Sequence, residues 1–185
     1  ALVQRKVIIG DEMGLGKTVQ AIVALRLLMK SNQCRRCLVV TPRSLRRNWE
    51  REFGVWAPNL TLRLLEGSAN NRRALYYLPV PVLIATYDQI RNDIERFDIS
   101  EEFDVVILDE AQRIKNRNAK TSLACRGIKR QRSWALTGTP IENTPDEMVA
   151  IFSFLRSGLL YEGISSGDMH ARIQPFFMRR TKQEV

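Results

Sequence analysis

The feature that most constrains this chain is a short apolar strand joined by a glycine-containing loop to a long helical run. The strand covers residues 6–9 and the helix is predicted over 17–30. The loop that leads into the helix reads Asp11-Glu12-Met13-Gly14-Leu15-Gly16-Lys17-Thr18. Backbone N–H groups surround a phosphate only where no side chain intervenes, and the positive end of the helix dipole points at the same place. The loop therefore predicts a binding site for a nucleoside triphosphate.

All eight loop residues are predicted to contact the nucleotide. Lys17 is expected to reach the β and γ phosphates, and the Thr18 hydroxyl is expected to ligate Mg²⁺. The usual pattern of such loops begins with glycine six residues before the lysine, where this chain has Asp11. An ordinary strand–turn–helix with two incidental glycines is the alternative.

A second strand ends in two carboxylates. The apolar run 104–108 is followed by Asp109 and Glu110, and ligands gather at the carboxyl ends of buried parallel strands. Asp109 is predicted to hold Mg²⁺, and Glu110 to polarise the attacking water. With Lys17 they are the predicted catalytic residues. An Asp-Glu pair of this kind also serves as a plain helix N-cap, but together with the phosphate loop it indicates ATP hydrolysis.

Composition indicates one basic domain. The chain has 185 residues, of which 44% are hydrophobic, and its net charge is +9. That size suits a single α/β unit, and the charge favours a polyanionic partner, nucleic acid first. No apolar run approaches a membrane span and no signal peptide opens the chain, so no membrane partner is predicted. Because the first residue is Ala, we expect a piece of a longer protein.

Cysteine usage indicates an intracellular protein, in the cytoplasm or nucleoid of a bacterium or the nucleus of a eukaryote. Cys34 and Cys37 have the spacing of a zinc or redox pair, but the only other candidate ligands are Cys125 and His170. Cys37 also opens an apolar strand, where a small buried residue is expected. The interpretation is that the chain holds no zinc, with a metal or redox role as the alternative.

Strand and helix patterns alternate along the chain. Strands are predicted at 6–9, 37–41, 61–65, 82–86, 104–108 and 133–137. Helices are predicted at 17–30, 44–54, 69–78, 87–94 and 118–126. A further helix begins at Thr144, with Pro145 in its first position and Glu147 completing a capping box. This alternation predicts an α/β fold, a mostly parallel sheet with helices on both faces.

Five further segments carry a resemblance to a known family. They are Val39-Val40-Thr41-Pro42-Arg43-Ser44-Leu45 with Asn48-Trp49, Thr86-Tyr87-Asp88, Asp109-Glu110-Ala111-Gln112-Arg113-Ile114-Lys115-Asn116, Leu136-Thr137-Gly138-Thr139-Pro140-Ile141-Glu142-Asn143 and Phe177-Met178-Arg179-Arg180-Thr181-Lys182-Gln183-Glu184-Val185. Together they resemble the first RecA-like lobe of the Swi/Snf family of superfamily 2 helicase-like ATPases. In that family, Asp at the position of Asp11 is usual. RNA helicases of the DEAD-box type carry Ser-Ala-Thr where this chain has Leu136-Thr-Gly-Thr-Pro.

The resemblance implies a RecA-like P-loop NTPase domain over 1–185, with 175–185 as the exit segment toward an absent second lobe. The implied cofactors are ATP and Mg²⁺. Thr137, Gly138 and Thr139 are implied to sense the γ-phosphate. The side chains implied to contact the nucleic-acid backbone are Thr41, Arg43, Thr86 and Tyr87.

Several basic side chains have a plainer interpretation. A solvated helix face is the alternative for Arg43, Arg46 and Arg47, and Arg72 and Arg73 are expected to be surface charge. The stretch 160–172 looks shorter than in typical relatives, as a natural deletion or an unrecorded insert. Gln4 lies near the position of an adenine-contacting segment but is not assigned that role.

The implied function is ATP-driven translocation along duplex DNA without strand separation, past a DNA-bound protein cargo. The implied partners are duplex DNA and a second RecA-like lobe of the same polypeptide, which supplies transition-state arginines. The isolated lobe is therefore expected to bind nucleotide weakly and hydrolyse it barely. Two alternatives remain: a non-hydrolysing nucleic-acid or protein-binding module, and a motor of another superfamily 2 branch, such as a restriction-enzyme translocase or an RNA helicase.

Overall fold

A seven-stranded parallel sheet forms the centre of the protein in the computed structural model. The structure describes residues 4–12, 14–97, 99, 102–138, 145–180 and 182–183. The strands are β1 Lys6–Ile9, β2 Cys37–Thr41, β3 Leu62–Leu64, β4 Val82–Thr86, β5 Phe103–Leu108, β6 Arg130–Leu136 and β7 Phe177–Met178. They lie in the order β3-β4-β2-β5-β6-β1-β7, and every pair is parallel.

In the described part of the chain, seven α-helices connect these strands. They are α1 Lys17–Lys30, α2 Arg46–Trp56, α3 Ala69–Tyr77, α4 Tyr87–Arg96, α5 Lys120–Gly127, α6 Pro145–Leu155 and α7 Ser166–Ile173. Three short 3-10 helices cover Arg43–Leu45, Ala111–Ile114 and Gln174–Phe176. The structure confirms the predicted helices and strands to within a few residues at each end, including α1 over its full predicted range. The predicted N-cap Thr144 lies outside the described residues.

Alternate residues of each central strand face opposite sides of the sheet, which produces two core layers. Ile8 packs in one layer, with residues of α4 to α7, while Val7 and Ile9 pack in the other, with residues of α1 and α2. The central strands are buried on both faces, which explains their unbroken apolar runs. The prediction of helices on both faces is confirmed.

Helix α7 and strand β7 were missed by sequence reasoning. Helix α7 is capped by Ser165, whose hydroxyl accepts a hydrogen bond from the amide of Asp168 at 3.1 Å, so a Ser-x-x-Asp pattern signals this helix locally. Strand β7 has only two residues and pairs with β1 at the sheet edge. No local pattern marks so short a strand, because its pairing partner lies about 170 residues away in the sequence.

Candidate nucleotide site and nucleic-acid surface

The predicted motifs meet at one edge of the sheet, because β2, β5, β6 and β1 are neighbours and all end there. The phosphate loop follows β1, Thr137 follows β6, Asp109 follows β5, and Thr41 is the last residue of β2. Strands β1 and β5 flank β6, so their ends lie about 10 Å apart. That spacing brings the loop and the acidic pair within reach of one triphosphate.

The phosphate loop adopts a backbone that requires glycine. Gly14 and Gly16 have φ values of 92° and 71°, in the left-handed region that side chains disfavour. Gly16 caps α1 without a side chain, and the first turn of α1 contains no acidic residue. Within the described part of the chain, no side chain accepts the first amides of this helix. They are therefore open to an anion such as a phosphate.

The Lys17 ammonium lies over the loop itself. Its Nζ donates to the carbonyl oxygens of Asp11 at 2.8 Å and Glu12 at 3.2 Å. An ammonium has three donors, so one remains for a phosphate oxygen. The Thr18 hydroxyl is half-buried and forms no hydrogen bond with any described residue, which suits a metal ligand. Met13 lies outside the described residues.

Asp11 supports the loop instead of contacting a ligand through its side chain. The carboxylate is 1% exposed and accepts from the Arg180 amide at 2.8 Å, the Arg180 guanidinium at 2.7 Å and the Gln20 amide at 2.8 Å. Burial raises the pKa of Asp11, but the hydrogen bonds from Arg180 and Gln20 outweigh it, so this pKa lies below its ordinary value. The prediction that the Asp11 side chain contacts the nucleotide is therefore corrected, because this carboxylate binds Arg180 of the exit segment.

Backbone hydrogen bonds extend this anchorage. The amide of Gly10 donates to the Met178 carbonyl at 2.8 Å, and the amide of Glu12 donates to the Arg180 carbonyl at 3.2 Å. The exit segment therefore lies directly against the first half of the phosphate loop. Sequence reasoning missed this contact, although a carboxylate placed directly after a buried strand is a signal that a cation is needed nearby.

Asp109 is held by two buried donors. Its Oδ2 accepts from the Thr41 hydroxyl at 2.8 Å and from the Trp49 indole at 2.7 Å, and the residue is 6% exposed. Burial raises the pKa of Asp109, and these two hydrogen bonds oppose the rise. A carboxylate oxygen at the end of a strand, desolvated and oriented, fits a divalent cation.

Glu110 has an unusual backbone and a specific side-chain partner. Its φ of 51° is left-handed for a residue with a side chain, a strain that concentrates at functional sites. Its Oε2 accepts from the Gln112 amide at 2.6 Å, and the Gln112 oxygen accepts from the Thr137 hydroxyl at 3.1 Å. Gln112 thus joins the acidic pair to Thr137, a link that sequence reasoning did not assign. Gly138 follows on the same loop, and Thr139 lies outside the described residues.

Three of the four predicted nucleic-acid side chains are buried, namely Thr41, Tyr87 and, at 6% exposed, Thr86, and the inward hydrogen bonds of Thr41 and Tyr87 contradict their predicted contact. Thr41 is fully buried and donates to Asp109, while Tyr87 is 4% exposed and its hydroxyl donates to the Asp109 carbonyl at 2.7 Å. Both side chains brace the acidic strand end from within. Thr86 caps α4 by accepting the Gln89 amide at 3.3 Å, and Arg43 is exposed.

Arg43 and Thr86 line an open cavity of about 410 Å³ together with Arg46 and Arg72. Arg46 pairs with Glu66 at 2.7 Å. Arg43 has no hydrogen bond or ion pair with any described residue, so its guanidinium remains available to a phosphate.

Arg72 is not the plain surface charge that the sequence predicts. Its Nε donates to both oxygens of Asp93, at 3.1 and 2.9 Å, and Asp93 is fully buried. The Tyr76 hydroxyl donates to the same carboxylate at 3.2 Å. The local sequence gave no sign of this pair, because its members lie on two different helices. Arg73 is exposed, as predicted.

The three cysteines are buried in the core. Cys34, Cys37 and Cys125 are free and buried, and burial raises the pKa of the Cys34 and Cys125 thiols to about 12. Among the residues that the structure describes, no group of His, Cys, Asp and Glu is arranged to hold a metal ion. None of the described helices combines the length and apolar character needed to cross a membrane.

Comparison with known proteins gives the family. A sequence model of the SNF2-related domain matches residues 3–165. The chain belongs to the SNF2 family. This SNF2 chain is 32% identical to the bovine "DNA excision repair protein ERCC-6-like" and 32% identical to "Chromatin remodeling factor mit1" of Schizosaccharomyces pombe, with 96% of the chain aligned in each case. It is 34% identical to an "Uncharacterized ATP-dependent helicase" of Mycoplasma pneumoniae, again over 96% of the chain.

The SNF2 chain covers 17%, 14% and 19% of these three relatives, respectively, so it corresponds to one part of each. Among solved structures, the Sulfolobus solfataricus SWI2/SNF2 ATPase core in complex with dsDNA matches with a TM-score of 0.84 and 32% identity. The match covers 96% of this chain and 40% of that one. The same ATPase core domain, in a second structure, matches with a TM-score of 0.75 and 31% identity. The RecA-like fold of an SNF2 ATPase core is thereby confirmed.

Proposed function

We propose that this chain is the ATP-binding lobe of a DNA-dependent ATPase that translocates on duplex DNA and remodels protein–DNA complexes. The observation that carries the proposal is the placement of the phosphate loop and the Asp109–Glu110 pair at the ends of β1 and β5, which only β6 separates. Membership of the SNF2 family supports it, as does the ATPase core in complex with dsDNA among the similar structures.

Hydrolysis of a triphosphate needs positioning and charge neutralisation more than covalent chemistry. In this proposal the loop amides and Lys17 bind the phosphates, while Thr18 and Asp109 hold Mg²⁺. The bound cation would neutralise charge on the β and γ phosphates. Glu110 accepts a hydrogen bond from Gln112, which leaves its other oxygen to orient the attacking water.

The loop after β6 is proposed to report the state of the nucleotide. Thr137 is tied to Glu110 through Gln112, so a shift at the γ-phosphate would be felt by both. Gly138 and Thr139 follow Thr137 in the sequence. They are proposed to relay that shift toward the nucleic-acid surface.

Duplex DNA is the proposed polyanionic partner. The net charge of +9 favours it, and Arg43 and Thr86 are the proposed backbone contacts because they line the open cavity. Contacts to phosphates position a protein without reading sequence, as a translocating motor requires. A second RecA-like lobe of the same polypeptide would supply the transition-state arginines, and a DNA-bound protein would be the cargo.

The deciding experiment measures ATP turnover by a protein containing both lobes, alone and with duplex DNA, single-stranded DNA or RNA. Strong stimulation by duplex DNA, abolished by Glu110→Gln, is expected. Stimulation by RNA or single strands alone would place the protein in a helicase branch. An absence of turnover under every condition would favour a non-hydrolysing binding module.

The isolated 185-residue chain provides the companion test. An arginine finger contributes about 10³–10⁵ in rate to nucleotide hydrolases, so this lobe alone is expected to turn over ATP at a barely measurable rate. Turnover near that of the two-lobed protein, abolished by Glu110→Gln, would refute the requirement for a second lobe.

A further inference from the structure

One oxygen of Asp109 is fixed by two different elements of the fold. The Thr41 hydroxyl, at the end of β2, and the Trp49 indole, on α2, both donate to Oδ2, at 2.8 and 2.7 Å. Both donors are fully buried. The second oxygen, Oδ1, receives no side-chain donor from the described residues. The backbone N–H of Glu110 also donates to this carboxylate. The side-chain donors therefore fix Oδ2, while no described side chain competes with a cation for Oδ1.

Burial of the Trp49 indole does not by itself explain its hydrogen bond to Asp109. Trp134 is equally buried, and the fold leaves its indole N–H without a hydrogen-bond partner among the described residues. A backbone carbonyl would satisfy an indole N–H at less cost than a carboxylate, whose burial is itself unfavourable. Trp49 is also locked in place by packing, with the Phe53 ring 6.1 Å away. Its N–H direction is thus set by the core.

We propose that Trp49, together with Thr41, is a positioning residue that turns Oδ1 of Asp109 toward the Mg²⁺ of the bound nucleotide. The inference rests on the proposed function and adds the residues that orient its metal ligand. Groups that hydrogen-bond a metal ligand restrict its rotation and raise the affinity of the site for the metal, although they never touch the metal. Trp49 acts in this way through Asp109.

The test measures binding of mant-labelled ADP to the 185-residue chain as the Mg²⁺ concentration is varied. Trp49→Phe removes the indole donor and keeps an aromatic ring, while Thr41→Val removes the hydroxyl and keeps the shape. Each is expected to raise the Mg²⁺ concentration at half-maximal binding by about 10–100-fold, the range found when groups supporting a metal ligand are removed. Affinity for the nucleotide without Mg²⁺ is expected to stay unchanged.

Two control variants match these changes. Trp56→Phe makes the same substitution on the same helix, where the side chain is 43% exposed and its indole donates only to Glu52. It is expected to behave as wild type. Thr41→Ser keeps a hydroxyl and is expected to restore the Mg²⁺ response.

Circular dichroism and thermal melting establish that each variant is folded. If Trp49→Phe does not fold, the Mg²⁺ response of Thr41→Val alone tests the inference. A folded Thr41→Val or Trp49→Phe protein with the wild-type Mg²⁺ response would overturn the inference and leave the proposed function intact. Failure of the wild-type chain to bind mant-ADP at any Mg²⁺ concentration would overturn both.

Discussion

Replacing Asp93 by Ala is expected to destabilise the protein strongly, although the residue lies outside the nucleotide site. Its carboxylate is fully buried and accepts from Arg72, whose side chain is 12% exposed, and from the buried Tyr76 hydroxyl. Removing one member of a buried ion pair leaves the other desolvated and costs about 3–5 kcal/mol of unfolding free energy. At about 2–4 °C per kcal/mol in a chain of this length, the melting temperature should fall by about 6–20 °C.

Urea-induced unfolding followed by circular dichroism measures this loss. Asp88→Ala is the matched control on the same helix, because Asp88 is 73% exposed and pairs with Arg91 at the surface. That pair should contribute about 1 kcal/mol or less. The double variant Arg72→Ala/Asp93→Ala should lose less than the sum of the single variants, because each single change leaves a buried group unpartnered. A loss below about 1 kcal/mol for Asp93→Ala, or strict additivity, would refute the reasoning.

Three further predictions concern the exit segment and the core. A Cβ at Gly10 would lie 2.5 Å from the Phe177 ring, so Gly10→Ala should lower the unfolding free energy by about 1–3 kcal/mol. Gly54→Ala is the control, because a Cβ at Gly54 would meet open space, and it should cause no such loss. Asp11 has a lowered pKa, so the stability it contributes is present above its unfolded pKa of about 3.9 and is lost as the pH falls through the lower folded pKa. The stability difference between wild type and Arg180→Ala should therefore be largest near neutral pH and shrink in acid; a gap unchanged down to pH 2 would contradict this. A thiol reagent should label none of the cysteines at pH 8 until urea unfolds the chain, since all three are buried: Cys34, Cys37 and Cys125.

The elements and the motifs were predictable because their signals are local. A strand buried on both faces must be apolar throughout, and a phosphate loop must contain glycines at fixed positions, so both appear in a single stretch of sequence. The start of α6 at Pro145 was visible for the same reason, since Pro favours the first turn of a helix. These signals placed the acidic pair and the loop on separate strands but said nothing about their distance.

The parts that could not be predicted depend on contacts between distant segments. Thr41 and Tyr87 sit in segments that resemble nucleic-acid contacts, yet their side chains turn inward to brace Asp109. Strand residues alternate between faces, and the resemblance of a segment does not state which way each side chain points. Arg72 was misjudged for a related reason: its partner Asp93 lies 21 residues further on.

Two side-chain contacts connect the proposed nucleotide site to other parts of the lobe. The phosphate loop contacts the exit segment through Asp11 and Arg180, and the acidic strand end contacts α2 through Asp109 and Trp49. Each contact joins an element of the proposed nucleotide site to a different part of the lobe, the exit segment in one case and α2 in the other. Both contacts involve carboxylates within the same edge of the sheet, so a triphosphate bound there as proposed would act on both electrostatically. In the proposed ATPase, hydrolysis would therefore alter the surroundings of the exit segment and of α2 together.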